Sequence, residues 1–290
     1  ASMAITLTGS LFPEIANDAL CYQLNLAKLF AWQCAVKPLP YDLNSFMPAF
    51  MNTLYSIGMM MGHNAPAAKL FHWMCGFLLT GALIFLIERT TGRRKLAFAI
   101  GTVFYLTPAV MNELTTTYVD VAVAFFMFLF FITFKNGRES GRNTCFFLSG
   151  LFLGFAISAK ILVLMALVPI GVIFLVDVFS ANERSRVPSR VAFFMSGLIA
   201  GCAYWFVRNW LLTGNPLYPY FGRVFGLQDF GYLDHFRDSG PQKGIFHFLA
   251  TPFLIFVNFE PYDSGHWLGP FYLLMAPFFL FIFFKKRSHA

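Results

Sequence analysis

The chain has 290 residues and a net charge of +7, yet charged residues make up only 12% of it. Hydrophobic residues account for 58%, and the mean hydropathy is +0.63. Soluble globular proteins are about 45–50% apolar and about 25% charged. The composition therefore excludes a water-soluble single domain and a disordered chain. A nucleic-acid-binding protein is excluded too, because the basic residues are not gathered into one patch. We predict an all-α, polytopic membrane protein.

Seven apolar segments are predicted to cross the membrane, because a bilayer core about 30 Å thick takes roughly 20 apolar residues as a helix. In chain order they are 66–87, 96–114, 118–134, 144–159, 161–179, 191–211 and 267–284. Two other apolar stretches, 46–62 and 245–258, are shorter or are broken by Pro, Asn and His. The second is predicted to be interfacial or re-entrant. The first either lies along the outer surface, which we favour, or spans and places 1–45 in the cytoplasm.

Clusters of Lys and Arg at the ends of these segments indicate which loops are cytoplasmic. Four clusters contain most of the 21 basic residues: Arg89 to Lys95, Lys135 to Arg142, Arg184 to Arg190, and Lys285 to Arg287. With these in the cytoplasm, the predicted spans alternate correctly and most acidic residues lie outside. The predicted organisation has four parts: a first outer loop over 1–65 with juxtamembrane helices, a six-helix core over 66–211, a second outer loop over 212–266, and a last helix with a basic tail over 267–290.

Two aspartates are candidates for chemistry on the outer side. Asp18 precedes a predicted helix that has Leu20, Leu24, Ala27 and Ala31 on one face. It is either an ordinary N-cap or a carboxylate that accepts a proton from an acceptor hydroxyl. Asp120 opens a strongly apolar helix. There it either interacts with the helix dipole or forms part of a functional site at the membrane boundary.

Two basic residues are candidates for contact with a phosphate. Lys160 lies in a tight outer turn between two predicted spans, where it either snorkels to the interface or meets a lipid phosphate. Arg208 closes a Trp-rich helix end before a Gly-Asn-Pro turn. It is either an anchor in the aromatic belt or a bidentate phosphate ligand.

Four stretches of the sequence carry a family resemblance. They are 18–24, 46–62 with 67–70, 116–120, and 154–160 with 208–216. In their order they resemble the GT-C class of membrane glycosyltransferases, which use polyprenyl-phosphate-linked sugars. Protein O-mannosyltransferases and the bacterial aminoarabinose transferases for lipid A belong to this class. The resemblance covers most of 10–225, although each motif is short.

The resemblance implies that Asp18 is the base that deprotonates the acceptor and that Asp120 is the second acidic site. Lys160 and Arg208 match basic positions near the donor phosphate, and Tyr22 and Lys28 are assigned to substrate binding with them. A divalent metal ion stays open as a cofactor, with no ligands assigned. Several family members carry Asp-Glu in the first loop, and family members begin with a span before it. Here Ala19 follows Asp18, and we expect that first span to be missing.

The implied protein is an integral, multi-pass protein of the bacterial inner membrane with its active site on the periplasmic side. Its expected partners are a polyprenyl-phosphate-linked sugar, a lipid, glycan or protein acceptor, and membrane lipids, with no nucleic acid. Asp18 and Asp120 are then expected to face one outer cavity, with Arg208 or Lys160 lining it. The alternatives are a multi-pass transporter or lipid flippase, although the two halves show no repeat relation, and a non-catalytic membrane scaffold.

Overall fold

The computed structural model describes residues 2–62, 65–179 and 184–226, together with positions 246 and 250. Within this part the regular elements are all helical, which confirms the all-α prediction. The α-helices are α1 (Ser2–Leu11), α2 (Leu24–Gln33), α3 (Phe50–Gly62), α4 (Ala65–Thr91), α5 (Arg94–Tyr105), α6 (Pro108–Glu113), α7 (Asp120–Ser140), α8 (Asn143–Ala159), α9 (Leu167–Phe179) and α10 (Val187–Thr213). A π-helical turn, Ala19–Gln23, leads into α2, and 3-10 turns cover Leu43–Phe46, Ile161–Ala166, Arg184–Arg186 and Gly222–Phe225.

Four helical stretches of the described chain are long and apolar enough to cross a membrane. They are Ala65–Thr91, Asp120–Ser140, Ile161–Phe179 and Arg184–Thr213. The protein is therefore a helical membrane protein, but the predicted count of seven spans is not confirmed. The predicted segment 144–159 forms α8, an apolar helix of 17 residues. The predicted segments 245–258 and 267–284 lie outside the described ranges.

The predicted single span 96–114 is divided between α5 and α6. Thr107, between the two helices, has φ −59° and ψ 126°, and Pro108 is the first residue of α6. Proline disfavours a helical conformation for the residue before it and has no N–H to donate to the preceding turn. The segment therefore breaks at the proline instead of continuing as one helix.

Helix α3 occupies most of the uncertain stretch 46–62. Its 13 residues extend about 20 Å, which is short of a bilayer core about 30 Å thick. Tyr55 and Met51 are fully buried within α3, in a cluster that includes Leu24 of α2 and Ala68 of α4. Helix α3 is therefore packed into the described helical bundle, against α2 and α4.

Helix α1 packs against α4 and α5. The Thr6 hydroxyl accepts a hydrogen bond from Trp73 Nε1 at 3.1 Å and lies 2.5 Å from the Tyr105 hydroxyl. Ser10, one turn later, is fully buried. Residues 2–11 therefore belong to the helical bundle, whereas the sequence predicts them to be part of an outer loop.

The core of the bundle lies between α7, α8 and α10. Phenylalanine rings from these helices and from α9 pack edge to face, with Phe134 in contact with Phe146, Phe174 and Phe194. The α8 and α10 backbones touch where each helix carries two glycines. These are Gly150 and Gly154 on α8, and Gly197 and Gly201 on α10. This Gly-x-x-x-Gly spacing lets two helices approach closely.

Contacts between helix ends define the two ends of the bundle. Arg138 of α7 donates two hydrogen bonds to Asp177 of α9, at 2.5 and 3.0 Å. Asn143 of α8 donates to Ser189 of α10 at 2.9 Å. The basic loops around 135–142 and 184–190 therefore share one end. The outer residues of the prediction, Asp18, Asp120 and Lys160, meet at the other end.

Candidate active site

A cavity of about 620 Å³ opens at the end of the bundle away from these basic loops. Short segments from five places along the chain meet there, so the fold builds the cavity from connections between helices. Its lining is Asp18, Tyr22, Gln23, Leu26, Asn44, Met47, Pro48, Ala49, Asn52, Glu113, Tyr118, Val119, Asp120, Ala159, Lys160, Ile161, Leu162 and Tyr220. Four of the six predicted site residues, Asp18, Tyr22, Asp120 and Lys160, are among them.

Asp18 stands at the start of the π-helical turn. Its side chain makes no capping hydrogen bond, so the N-cap interpretation does not account for it. Instead, the Tyr22 hydroxyl donates to Asp18 Oδ2 at a long 3.5 Å. The carboxylate is exposed, and it faces the cavity with Tyr22 and Gln23. An exposed carboxylate in this position can reach a bound hydroxyl.

The π turn changes which face of this segment is buried. Leu24 N–H donates to the carbonyl of Ala19, five residues back, so Ala19 lies beneath Leu24. Ala19, Leu24 and Ala27 are buried, but Leu20 is 51% exposed. The prediction that Leu20 lies on the apolar face is therefore wrong. It assumes that Leu24 stacks on the residue four before it, as in an α-helix, whereas the π turn stacks Leu24 on the residue five before it. Single π turns of this kind occur often at functional sites.

The Tyr22 phenol remains protonated over the physiological pH range. Burial, and next the negative charge of Asp18, raise its pKa to about 12. A protonated phenol donates a hydrogen bond but does not remove a proton. Tyr22 is therefore suited to orient the Asp18 carboxylate or a bound oxygen, and Asp18 is the better base of the two.

Asp120 and Lys160 form an ion pair across the cavity wall. Lys160 Nζ donates to Asp120 Oδ1 at 2.5 Å, and the two side chains are 41% and 51% exposed. Asp120 is the first residue of α7, and Lys160 follows the last residue of α8 in an extended conformation. The pair thus joins two helix ends that pack side by side.

The segment before Asp120 is held by buried polar side chains that the sequence prediction does not include. His72 of α4 has Nδ1 3.0 Å from the Thr116 carbonyl oxygen, so this nitrogen carries the proton and donates. The Tyr55 hydroxyl of α3 donates to the Tyr118 carbonyl. Polar residues within otherwise apolar helices are the signal that could have drawn attention to them.

Two predicted site residues do not line the cavity. Arg208 is buried, and its Nη2 donates to the carbonyls of Ser45 and Phe46, at 3.3 and 2.8 Å. Its guanidinium group therefore stabilises the turn that leads to the cavity residues after 46, and does not face the cavity itself. Lys28 is exposed on α2, and its ammonium group lies over the Trp32 ring at 4.7 Å.

The divalent metal ion that the sequence leaves open as a cofactor has no preformed ligand set in the described part of the chain. Within it, no group of three or more His, Cys, Asp or Glu side chains is arranged to hold a metal ion. Asp120 is paired with Lys160, and Asp18 with Tyr22.

An all-helical membrane protein with an acidic cavity at one end of its bundle is the class that this fold and site define. Residues 61–228 match a family described as a domain of unknown function, DUF8201. The match covers more than half of the chain, and the chain belongs to this family. No curated protein and no solved structure matches. Asp120, Lys160 and Arg208 lie within the matched region, whereas Asp18, Tyr22 and Lys28 precede it.

Proposed function

We propose that the chain is a membrane glycosyltransferase that moves a sugar from a polyprenyl-phosphate donor to an acceptor on the outer, periplasmic face of the membrane. The observation that carries this proposal is the convergence of Asp18 and Asp120 on one cavity, with Lys160 beside them. Carboxylates on one cavity suit a reaction in which a hydroxyl of the acceptor loses a proton.

In the proposed reaction Asp18 accepts a proton from the acceptor hydroxyl while its oxygen attacks the anomeric carbon. The bond between that carbon and the phosphate oxygen breaks, and polyprenyl phosphate leaves with the electron pair. A single displacement of this kind inverts the anomeric centre. Lys160 supplies a positive charge at the cavity wall, where charge develops on the departing phosphate. Asp120 holds Lys160 in this position.

The apolar part of the lining supports a lipid-linked substrate. Ile161 and Leu162 line the cavity and also begin the stretch Ile161–Phe179, which is apolar enough to cross a membrane. Leu162 is 57% exposed. The polar residues of the cavity are thus continuous with a helix surface suited to lipid. A substrate with a polar head and a long apolar chain fits this combination.

The test compares wild type with Asp18→Asn in membranes supplied with labelled polyprenyl-phosphate sugars, mannose and aminoarabinose among them. We expect the variant to lose at least about 100-fold in transfer rate, the typical contribution of a general base. Asp42→Asn is the matched control. Asp42 also lies in the N-terminal segment before α3, on the other side of α2; it caps the 3-10 turn by accepting from Asn44 N at 2.9 Å, and does not line the cavity.

Equal transfer by wild type and Asp18→Asn would exclude Asp18 as the base. The absence of transfer from every donor, with movement of a polyprenyl lipid between leaflets, would favour the transporter or flippase instead. Reduced transfer in Asp42→Asn as well would show that the loss reflects a general disturbance of this segment.

A further inference from the structure

We propose that Glu14 is a positioning residue that sets the placement of Asp18 relative to Asp120. The inference rests on the proposed function only where it treats the cavity as an active site. It is carried by the contacts of one buried carboxylate, whose two oxygens bind two segments that are far apart in the sequence. One of these segments leads to Asp18 and the other leads to Asp120.

The first oxygen of Glu14 organises the approach to Asp18. Glu14 Oε1 accepts hydrogen bonds from the backbone N–H groups of Ile15 and Ala16, both at 3.0 Å. Ala16 is two residues before Asp18, and its carbonyl accepts from Leu20 N at 3.0 Å. The hydrogen bonds to Oε1 therefore fix the backbone just where the segment enters the π turn.

The second oxygen organises the approach to Asp120. Glu14 Oε2 accepts from Thr117 N at 2.9 Å and from the Thr117 hydroxyl at 3.1 Å. Thr117 is fully buried and lies three residues before Asp120. A single side chain thus fixes both segments, so a change in its length or in its acceptors alters their relative placement.

The buried Glu14 carboxylate faces hydrogen-bond donors and a cation. Its side chain is 2% exposed, it accepts four hydrogen bonds, and Lys69 Nζ lies 4.0 Å from Oε2. Lys69 also donates to the Phe12 carbonyl at 3.0 Å. A buried charge is tolerated when it is paired and fully hydrogen-bonded. An amide cannot replace it, because its NH₂ group would face N–H donors on one side.

The segment before Asp120 has other attachments, so the loss of Glu14 contacts need not unfold it. His72 binds the carbonyl of Thr116, and Tyr55 binds the carbonyl of Tyr118. Glu14 alone among these three side chains also binds the segment before Asp18. Its specific contribution is therefore the connection between the two segments, and this is the property to test.

The test measures amide hydrogen exchange by mass spectrometry in the purified full chain, comparing wild type, Glu14→Gln and Tyr55→Phe. We expect Glu14→Gln to accelerate exchange at least tenfold both in the peptide that contains Ile15 and Ala16 and in the peptide that contains Thr117. Tyr55→Phe removes the hydrogen bond to the Tyr118 carbonyl but keeps the four hydrogen bonds of Glu14. It should leave exchange at Ile15 and Ala16 unchanged.

Transfer kinetics of the same variants separate positioning from general stability. Glu14→Gln should lower kcat at least tenfold and change KM less than threefold, because the cavity wall persists while Asp18 and Asp120 are misplaced relative to each other. Unchanged exchange in either peptide after Glu14→Gln, or equal acceleration at Ile15 and Ala16 by Tyr55→Phe, would overturn the proposal. If wild type transfers no sugar, the proposed function fails, and the exchange result still decides whether Glu14 connects the two segments.

Discussion

The ion pair between Lys160 and Asp120 is expected to contribute little to stability and more to the proposed chemistry. Both side chains are about half exposed, and ion pairs of this kind contribute about 0–1 kcal/mol. The small contribution of the pair to the free energy of folding therefore does not explain where it lies. The pair lies on the cavity, where a charge acts on a bound ligand, and this is where we expect its effect.

We predict that Lys160→Met lowers sugar transfer at least tenfold while changing the free energy of unfolding by less than about 1 kcal/mol. The reason is that the variant removes the positive charge beside the departing phosphate but breaks only a solvated contact. Transfer rates and thermal unfolding in detergent micelles measure the two effects. A loss of stability above about 2 kcal/mol would contradict the prediction.

Lys135→Met is the matched control for this variant. Lys135 pairs with Glu139 at 3.6 Å, with both side chains more than 60% exposed, at the far end of α7. It should show an equally small change in stability and no change in transfer.

Sequence reasoning predicted the meeting of Asp18, Asp120 and Lys160 because it depends on which side of the membrane each residue occupies. The alternation of apolar segments and basic loops determines those sides. Arg208 shows the limit of such reasoning. A Trp-flanked arginine at a helix end suits a phosphate as well as a backbone carbonyl, and the carbonyl of Phe46 that it binds lies 162 residues earlier. Only the fold decides between the two.

At the scale of helices, features that follow from a residue pattern could be predicted from the sequence, and features that depend on packing in the fold could not. Pro108 is a visible helix breaker within 96–114, so the division between α5 and α6 was predictable. The Gly-x-x-x-Gly spacing at 150–154 and at 197–201 is also visible. The π turn at Ala19–Gln23 is not, because it depends on packing of Ala19 and Gln23 against the bundle and not on a residue pattern.

We predict that Gly154→Leu destabilises the protein by about 3 kcal/mol or more, because a side chain there has no room between α8 and α10. A Cβ at Gly154 would lie 2.8 Å from the Leu198 carbonyl oxygen, and one at Gly201 would lie 2.7 Å from the Leu151 carbonyl oxygen. Overpacking a close contact typically costs 1–3 kcal/mol, and here the neighbours are backbone atoms that cannot rotate away.

The control for this prediction is Gly171→Ala in α9, where a Cβ meets no atom within 4 Å. Alanine there should be neutral or should stabilise by about 0.5–1 kcal/mol, the usual difference between the two residues in a helix. Thermal unfolding of both variants in the same detergent tests the contrast. Equal stability of Gly154→Leu and wild type would mean that α8 and α10 are not in backbone contact.

At the scale of the whole molecule, the two ends of the bundle differ in chemistry. One end carries the basic loops, tied together by Arg138 with Asp177 and by Asn143 with Ser189. The other carries the acidic cavity, about 27 Å away along α7, which begins at Asp120 on the cavity and reaches Arg138 at the basic end. Loops rich in Lys and Arg stay in the cytoplasm. The separation of the two ends therefore predicts the orientation of the protein.

We predict that a cysteine at Ile15 is labelled by a membrane-impermeant maleimide in intact cells or spheroplasts, and that one at Ser140 is labelled only after the membrane is permeabilised. Ile15 is 88% exposed near the cavity, and Ser140 is exposed at the end of α7, beside the basic connection to α8. The five native cysteines are replaced first, because Cys21 and Cys34 are exposed and would react. Labelling of both positions from one side would overturn this topology. It would also overturn the proposed reaction on the outer face, because Asp18 lies three residues after Ile15 and shares its side of the membrane.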